Sequence, residues 1–346
     1  MATILRSAGE LARSKTYTGI RPFDIGRDLR PVAEVIADAF ADDLDSGGKA
    51  ALREMRVMSY MGGMFGLFNG NEMDFGKAYG GFVWVEEGRV IGNVTVQKAD
   101  SYGNRWQIAN VAVDRAFRGR GIARKLVKRA LEYAHEMGGR WMVLQVRGNN
   151  SVARGLYERM GFEEVSGISC WEISQVPVNI AAAPGLSTTE MISLTPFSTA
   201  EWRSLYEIAS SQHSAHAQWW RPLRQDDFRR TPEQRLGEWF SRIIGRQTIL
   251  RRAVADNLRR FEAAMIVTGQ HWQGIHEIQL WVRPRCQGQM EPTMLQWALT
   301  ELQAFPRFPI RVELSTHHTA AAQLLDGFGF TNTHTLLTLR YKLTGV

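Results

Sequence analysis

Cysteine is almost absent from this chain, since its 346 residues include only Cys170 and Cys286. Two cysteines so far apart supply neither a disulfide framework nor a cysteine-rich metal site. Long apolar runs are also missing, because no stretch reaches the roughly 18 residues that a membrane-spanning helix needs. Residues 1–18 lack the apolar core of a signal peptide. These absences exclude a disulfide-rich secreted protein, and they predict a cytoplasmic location with no membrane partner.

A concentrated basic segment, the usual mark of nucleic-acid binding, is missing as well. Residues 1–180 hold 24 basic and 21 acidic residues, giving +3, and residues 181–346 hold 18 and 14, giving +4. The net charge of +7 is therefore spread evenly, which predicts no nucleic-acid partner and suits a polyanionic cofactor. The length and the hydrophobic content of 44% suit two soluble domains, each with its own core.

What the chain does contain is a strand that leads through a basic, glycine-containing loop into a helix. Residues 106–113 alternate as a strand does, and apolar residues recur at helical spacing over 123–134. Gly119 and Gly121 allow an anion to approach the main chain, and the first turn of a helix leaves N–H groups unpaired. Positive charge is added by Arg118, Arg120 and Arg124. This combination predicts a pyrophosphate site.

A second group of features follows at short spacing. Residues 141–146 read as another apolar strand, and Asn149-Asn150-Ser151 marks the start of a helix. That helix carries Leu156-Tyr157, and Gly161-Phe162 closes it. The order is therefore strand, basic loop, helix, strand, helix.

These two groups resemble the motifs of the Gcn5-related N-acetyltransferase (GNAT) family. The family's acetyl-CoA loop has the pattern Arg/Gln-x-x-Gly-x-Gly/Ala, which Arg118, Gly121 and Ala123 match. Its later pattern, Val-Arg-x-x-Asn followed by Leu-Tyr and Gly-Phe, is matched by Val146, Arg147, Asn150, Leu156, Tyr157, Gly161 and Phe162. The resemblance implies an α/β fold with a mixed, mostly antiparallel central sheet flanked by helices, and acetyl-CoA as co-substrate without a metal.

The second half of the chain repeats the first. A shift of about 168 residues aligns Gln287–Pro292 with Arg118–Ala123, and Thr319–Leu325 with Ser151–Tyr157. A repeat of this length indicates domain duplication, so we expect two tandem GNAT domains. The expected divisions are an acetyl-CoA-binding, catalytic domain at 1–175, a linker rich in proline and alanine at 176–189, and a non-catalytic domain at 190–346.

The two copies differ in their chemistry. Met290 replaces Gly121, Pro292 replaces Ala123 and offers no N–H, and Glu291 brings a negative charge to the phosphate position. Glutamines replace two of the arginines, and Leu325 replaces Tyr157. These changes predict that the second copy keeps the fold and has lost acetyl-CoA binding, with a structural role in an acceptor cleft or an interface.

The resemblance assigns roles to particular residues of the first copy. It implies that Tyr157 protonates the sulfur of CoA as general acid, and that a backbone N–H near Val111 polarises the thioester carbonyl. The implied cofactor-binding residues are Val111, Ala112, Val113, Arg118, Gly119, Arg120, Gly121, Ile122, Ala123, Arg124 and Asn150.

The general base is left open. Related acetyltransferases of ribosomal-protein N-termini have a glutamate where this chain has Gln145, and an amide cannot take up the proton. A water chain ordered by Asn110 and Gln145 is one alternative, which makes Asn110 a candidate catalytic residue. A carboxylate from elsewhere in the chain is the other alternative, and the candidates are Glu54, Asp74 and Asp100.

Other elements can be expected from local patterns. Residues 16–23 predict a strand, 28–41 a helix and 50–60 a second helix, while 81–86 and 89–96 predict a hairpin around Glu87-Gly88. Strands are also expected at 164–165 and 168–173. The segment 58–75 is rich in Met, Phe and Gly, which suits either an apolar acceptor surface or an inserted packing loop.

The function expected from these features is acetyl-CoA-dependent N-acetylation of a primary amine, by direct attack in a ternary complex. Because a neutral Gln145 replaces the glutamate, a small-molecule amine is favoured over a protein or peptide. Two further alternatives are a tandem acetyltransferase similar to mycothiol synthase, in which the C-terminal copy is the active one, and a non-catalytic acyl-CoA-binding module. The expected partners are acetyl-CoA and an amine, and the chain is either a monomer or a homodimer.

Overall fold

The computed structural model describes residues 17–39, 80–99, 104–177, 180, 193–212, 223–229 and 246–344. Within these ranges the chain contains both strands and helices. The strands are β1 (Gly19–Pro22), β2 (Gly81–Glu86), β3 (Arg89–Lys98), β4 (Arg105–Val113), β5 (Trp141–Arg147), β6 (Glu163–Ile173), β7 (Thr195–Pro196), β8 (Gln247–Ala255), β9 (Phe261–Gln270), β10 (His276–Val282), β11 (Ile310–Ser315) and β12 (Thr331–Lys342). The helices are α1 (Ile25–Ala39), α2 (Ile122–Glu136), α3 (Ser151–Arg159), α4 (Trp202–Gln212), α5 (Gln225–Phe228), α6 (Glu291–Leu302) and α7 (Thr319–Gly327). None of these helices is long and apolar enough to cross a membrane.

The chain divides into two compact units that are not continuous in sequence. The first unit takes residues 1–145, 152–163 and 339–346, and the second takes 146–151 and 164–338. The predicted domain divisions at 176–189 remain a prediction. Strand β6, which follows the helix of the first copy, belongs to the second unit from residue 164 onwards, and the last residues of β12 belong to the first unit.

The sheet of the first unit has the order β1-β2-β3-β4-β5. Its first three pairings are antiparallel and the β4–β5 pairing is parallel, as the GNAT resemblance predicts. The end of β12 lies beside the start of β5: the Leu343 N–H donates to the Arg140 carbonyl at 2.9 Å, and the Arg340 guanidinium lies 5.1 Å from the centre of the Trp141 ring. These contacts secure the C-terminal residues within the first unit.

One helix covers each face of this sheet. On one face, Val32, Val35 and Ile36 of α1 pack on Val83 and Ala112 of the strands. The buried face of α1 follows from apolar residues at helical spacing. A buried, bidentate ion pair joins Asp28 of α1 to Arg21 of β1, so that the strand and the helix that follows it are fixed to each other.

On the opposite face lies α2, the helix that follows the predicted cofactor loop. Its buried residues recur at helical spacing at Ile122, Leu126, Val127, Ala130, Leu131 and Ala134. The Tyr133 ring of α2 makes edge contacts of 5.6 Å with Phe82 of β2 and Trp106 of β4. Because Gly92 of β3 has no side chain, Leu126 and Ile122 can approach the sheet closely. The helix is therefore held against three strands.

Strands β4 and β5 pair only over their first part. The parallel ladder joins Arg105–Ile108 to Trp141–Leu144, and no later residue of β4 has a paired residue on β5 in the described sheet. The last five residues of β4 therefore have no paired residue on β5, although Ala109, Ala112 and Val113 still pair with β3. They lead directly to the loop at 114–121. This opening is a feature of the first unit itself.

The second unit repeats this arrangement. Its sheet has the order β6-β11-β10-β9-β8-β7, with a parallel β10–β11 pair between antiparallel neighbours. Helix α6 packs on it through fully buried residues that include Met294, Leu295, Ala298 and Leu299. The turn that ends each copy is also shared: Phe162 N–H donates to the Tyr157 carbonyl at 3.0 Å, and Phe330 N–H donates to the Leu325 carbonyl at 2.9 Å.

Most of the elements expected from the sequence are confirmed. The hairpin of β2 and β3 turns at Glu87 and Gly88, both of which have positive φ, as the sequence predicts. The two short strands expected at 164–165 and 168–173 are one continuous strand, β6, because it pairs with β11 along residues 168–173. The expected helix at 50–60 and the segment 58–75 lie outside the described residues.

Candidate active site

A bulge interrupts β4 just before the predicted cofactor loop. Ala112 pairs with Asn93 and Ala109 pairs with Thr95, so that Asn110 and Val111 together stand opposite one residue of β3. Asn110 has a left-handed backbone with φ of 50°. Neither Asn110 nor Val111 has a paired residue on β3 or β5 in the described sheet. The backbone of these two residues is therefore outside both the β3 and the β5 pairing, just after the pairing of β4 with β5 ends.

Side chains of β3 contact the bulged residue. The Asn93 side-chain amide donates to the backbone carbonyl of Asn110 at 3.1 Å. The Asn110 side-chain amide lies 3.5 Å from the hydroxyl of Thr95, which is the outer limit of a hydrogen bond. Asn93 is 2% exposed, so its amide is a buried polar group with a specific partner. Asn93 was not among the residues predicted for the site.

The loop after β4 has the shape of an anion cradle. Gly119 and Gly121 have φ of 80° and 74°, a conformation that favours glycine. A Cβ at either position meets no atom within 4 Å, so the space in front of the loop is open. Gly121 is the N-cap of α2 and, being glycine, has no side chain with which to bond the helix's first N–H groups. The cap carbonyl accepts from Lys125 N–H at 3.1 Å. A phosphate group fits these donors and this space.

The three predicted arginines differ in their surroundings. Arg118 donates from Nε to the Val113 carbonyl at 3.1 Å, which ties the loop to the end of β4. Arg120 lies 3.7 Å from a carboxylate oxygen of Glu86 and 4.8 Å from the centre of the Phe117 ring. Arg124 is exposed on the first turn of α2. All three can supply positive charge near the loop, and Arg118 is the one fixed to the strand.

Tyr157 lies on α3 in the same unit as the loop. Its ring is buried and contacts Phe162 at 5.6 Å in an edge arrangement. Burial raises the pKa of Tyr157 to about 12. Its hydroxyl is therefore protonated at neutral pH, which is the state that a general acid requires.

The remaining predicted residues are placed as follows. Ala112 and Val113 are buried, Val111 is half-buried and Ile122 is buried at the start of α2, with Ala123 beside it. Asn150 immediately precedes α3, as expected of a helix cap, and belongs to the second unit. Gln145 is exposed at the end of the first unit's part of β5. Glu54, Asp74 and Asp100, the candidate bases, lie outside the described residues.

The corresponding loop of the second unit is built differently. Gly288 keeps a positive φ of 84°, but Met290 has the right-handed backbone with φ of −90° where Gly121 is left-handed. Glu291, the first residue of α6, turns its carboxylate back and accepts from the Gly288 N–H at 2.7 Å. The second copy therefore does not preserve the backbone conformation of the first, because the left-handed region is unfavourable for a residue with a Cβ such as Met290.

A buried pair completes this second loop. The other carboxylate oxygen of Glu291 lies 2.8 Å from Nε2 of His318, and both residues are almost fully buried. His318 caps α7 and occupies the position that Asn150 occupies before α3. The pair joins the loop to the helix across the region where the first copy is predicted to hold the cofactor. The sequence alone predicted a negative charge here and gave no sign of its histidine partner.

The fold and this loop define a protein class. Residues 51–162 match the model of the acetyltransferase (GNAT) family. This part of the chain is therefore similar to the GNAT family, and the second unit repeats the same order of strands and helices.

Similar proteins agree with this assignment over part of the chain. An uncharacterized N-acetyltransferase of Methanocaldococcus jannaschii is 42% identical over 65 residues, which are 19% of this chain and 29% of that protein. N-alpha-acetyltransferase 30 of Schizosaccharomyces pombe is 35% identical over 83 residues, 23% of this chain and 55% of that protein. The chain thus spans about half or less of the length of these relatives.

One solved structure is similar along almost the whole chain. A GCN5-related N-acetyltransferase from Sphaerobacter thermophilus covers 94% of this chain and 97% of its own, with a TM-score of 0.56 and 16% identity. This likeness shows that both units share the GNAT fold.

Proposed function

We propose that the protein is an acetyl-CoA-dependent N-acetyltransferase whose first unit binds the cofactor and performs the transfer. The observation that carries this proposal is the glycine loop at Gly119 and Gly121, which leads into a helix capped by glycine. The strand before the loop is bulged and no longer pairs with β5. The match of residues 51–162 to the GNAT model supports it. Acetyl-CoA, when bound, supplies an activated acetyl thioester.

Different residues of the first unit bind different parts of acetyl-CoA. The N–H groups at the start of α2 and the guanidinium of Arg118 hold the pyrophosphate. The stretch of β4 at Val111–Val113, which has no paired residue on β5 in the described sheet, pairs with the extended pantetheine arm, much as an added strand would. Positive charge at Arg120 and Arg124 attracts the polyanion to the loop.

Two groups act on the reacting atoms. A backbone N–H at the bulge near Val111 polarises the thioester carbonyl, an effect worth about 2.7–4 kcal/mol for one oxyanion-hole donor in acyl-transfer enzymes. The amine attacks directly, and the Tyr157 hydroxyl gives its proton to the departing sulfur. That hydroxyl is neutral at neutral pH even with the ordinary pKa of tyrosine, and burial raises its pKa further, to about 12. Asn110 and Gln145 order the water that takes the proton from the amine.

The acceptor that we propose is a primary amine of a small molecule. Gln145 replaces an ionised glutamate with a neutral amide, and an amide-to-amide hydrogen bond of 3.2 Å joins Gln97 to Gln107 on the neighbouring strands. The neutral amide of Gln145, in place of the glutamate of related N-terminal acetyltransferases, is what favours this acceptor over a peptide N-terminus. Acetylation of a peptide amine is the second candidate, supported by the similarity to an N-alpha-acetyltransferase.

The second unit, in our proposal, does not bind acetyl-CoA. The Glu291 carboxylate already occupies an N–H of the loop, and Leu325 stands where Tyr157 stands in the first copy. The alternative that follows the mycothiol-synthase pattern would require this unit to be the active one. A pyrophosphate would have to displace a buried carboxylate of its own sign.

Calorimetry with acetyl-CoA tests the proposal directly. We expect one binding site per chain in the wild type, none in Gly121→Glu, and an unchanged site in Gly288→Glu. Release of free CoA thiol is then followed with a panel of small amines and N-terminal peptides. Turnover with an amine and one site in the first unit supports the enzyme. Tight binding without turnover on any amine would instead identify a non-catalytic acyl-CoA-binding module.

A further inference from the structure

The bulge in β4 is a strained feature that its surroundings must maintain. Asn110 is one of three non-glycine residues with positive φ in the described chain, and the other two, Glu87 and Arg259, lie in turns between strands. A left-handed backbone inside a strand is unfavourable for a residue with a Cβ, so it persists only where neighbouring groups hold it.

Asn93 is the residue that holds the Asn110 backbone in the left-handed conformation. Its side-chain amide donates to the Asn110 carbonyl at 3.1 Å, from a position that is 2% exposed. Asn93 pairs with Val83 of β2 and Ala112 of β4, both of which belong to the apolar layer under α1. An amide buried in such a layer is unfavourable unless its hydrogen bonds are made. The bond to Asn110 is therefore one that the fold strongly retains.

The second unit provides an internal comparison. There, β10 ends at Val282 as β4 ends at Val113, and each strand is followed by a short 3-10 helix. Counting back from these ends, Ala264 takes the place of Asn93, because it pairs with Trp281. Pairing between β9 and β10 continues without interruption from Val282 to Glu277.

The copy that lacks the asparagine also lacks the bulge. No residue of β10 has positive φ, and Ile266 takes the place of Thr95 as well. The same copy has its cofactor loop filled by Glu291. The side chain, the bulge and the open loop are thus present together in one unit and lost together in the other.

We propose that Asn93 is a positioning residue for acetyl transfer: its amide fixes the Asn110 carbonyl and so directs the bulge N–H near Val111 at the thioester carbonyl. The inference rests on the proposed function and adds a residue outside the family motifs of this chain. Asn93 touches neither cofactor nor acceptor. It acts by preventing the bulge from relaxing into a regular ladder of the kind seen between β9 and β10.

The chemistry requires such control. A donor stabilises developing charge on the carbonyl oxygen only when it is already aimed at that atom. A misplacement of about 1 Å can lower a rate by roughly 100-fold. Removal of the Asn93 amide should therefore lower kcat by about 10- to 100-fold, while the pyrophosphate loop keeps its affinity for acetyl-CoA.

Three variants test the role of Asn93. Asn93→Ala installs the residue of the second copy, and Asn93→Asp keeps the shape but replaces the donor with an acceptor. Val96→Ala is the matched control, because Val96 is a buried residue of the same strand that pairs with Ile108 outside the bulge. Thermal melting establishes that each variant is folded.

The decisive measurement needs no acceptor amine. Acetyl-CoA labelled with ¹³C at the acetyl carbonyl is bound to each protein, and the carbonyl stretching frequency is compared with that of the free ligand. We expect a lowered frequency in the wild type and in Val96→Ala, and a smaller shift in Asn93→Ala and Asn93→Asp. Where the amine panel gives a substrate, kcat should fall in the two Asn93 variants with the affinity for acetyl-CoA unchanged.

The outcomes separate the two proposals. If the wild type does not bind acetyl-CoA, the proposed function fails and this inference fails with it. If the wild type binds and polarises the carbonyl, and a folded Asn93 variant does so equally, the proposed function stands and the positioning role of Asn93 is overturned. A loss of the same size in Val96→Ala would assign the effect to general destabilisation and would also overturn it.

Discussion

Glu291 accepts a hydrogen bond from the backbone N–H of Gly288 at 2.7 Å, inside the loop that corresponds to the cofactor loop of the other copy. The second oxygen of the same carboxylate lies 2.8 Å from His318 Nε2. The second unit thus supplies its own anion to a loop of the kind that binds phosphate. In the first unit the corresponding residue, Ile122, turns into the core and leaves the loop open.

This relationship predicts the effect of Glu291→Ala. The change leaves the Gly288 N–H and the His318 ring without their acceptor in a buried place, so the free energy of unfolding should fall by about 1–3 kcal/mol. Urea unfolding measures this. Glu301→Ala, at the far end of the same helix, is the control for helix composition, and we expect its unfolding free energy to change less.

The same variant should also acquire a weak response to anions. Sulfate should raise the melting temperature of Glu291→Ala more than that of the wild type, because a ligand that binds only the folded state stabilises it. Sulfate also stabilises proteins in general, so the difference between the two proteins is the quantity of interest. Equal increases in both would contradict the idea that the carboxylate occupies an anion site.

Gly121→Ala should abolish or strongly weaken the binding of acetyl-CoA. The backbone strain of this change is matched by Gly138→Ala, since Gly138 has φ of 81° and equally open space around it at the other end of α2. Both variants should lose about 1 kcal/mol of stability, the cost of placing a Cβ in the left-handed region. Only Gly121→Ala should lose the calorimetric signal. Equal affinity in both variants would show that the loop is not the cofactor site.

Tyr157→Phe should lower kcat by about 100-fold or more and leave the affinity for acetyl-CoA unchanged, because a general acid acts only on the leaving group. Tyr133→Phe, on the helix that packs under the same sheet, is the control for loss of a tyrosine hydroxyl and should keep its activity. Wild-type turnover in Tyr157→Phe would remove the role of general acid from this residue.

The raised pKa of Tyr157 makes a separate prediction about pH. In the folded state the pKa of the Tyr157 hydroxyl is about 12, against an ordinary value of 10.0. The stability that this provides is complete below pH 10 and is lost as the pH rises towards 12. The difference in ultraviolet absorbance between wild type and Tyr157→Phe should therefore show a phenol that ionises near pH 12. Ionisation near pH 10 in the folded protein would indicate an exposed hydroxyl.

Asp28→Ala should be among the most destabilising single changes in α1. It leaves the guanidinium of Arg21 buried without its carboxylate partner, and breaking such a pair typically costs about 3–5 kcal/mol. Glu34→Ala removes an exposed partner of Arg30 on the same helix, and we expect no measurable change in its melting temperature. Similar melting temperatures for the two variants would mean that Arg21 finds another partner.

Local chemistry made much of the site predictable. Gly119 and Gly121 indicate a loop that needs positive φ, and the helical spacing of apolar residues places α2 directly after it. The repeat allowed the loss of Gly121 at Met290 to be read from the sequence. The sequence comparison did not predict that the backbone at Met290 would be right-handed, because the identity of a residue does not fix its φ.

Long-range features were beyond the sequence. The bulge at Asn110 depends on a side chain 17 residues earlier, on another strand, and alternation of apolar residues does not reveal which strands pair. A signal for Asn93 was available, since asparagine is depleted in strands and here lies within the mostly apolar run Val90–Val96. The assignment of β6 to the second unit and of the end of β12 to the first had no local signal. Each segment has the pattern of an ordinary strand, whichever unit it belongs to.

The assignment of residues 339–346 to the first unit also affects the order in which the protein can fold during synthesis. The unit that carries the candidate active site includes residues 339–346, which are synthesised after all of residues 164–338 of the second unit. Its sheet therefore cannot be completed during synthesis of the first half, and an emerging nascent chain must wait for the whole second copy. Completion of the first unit is thereby tied to synthesis of the second, so a stop codon between residues 164 and 338 would leave the first unit without its last segment.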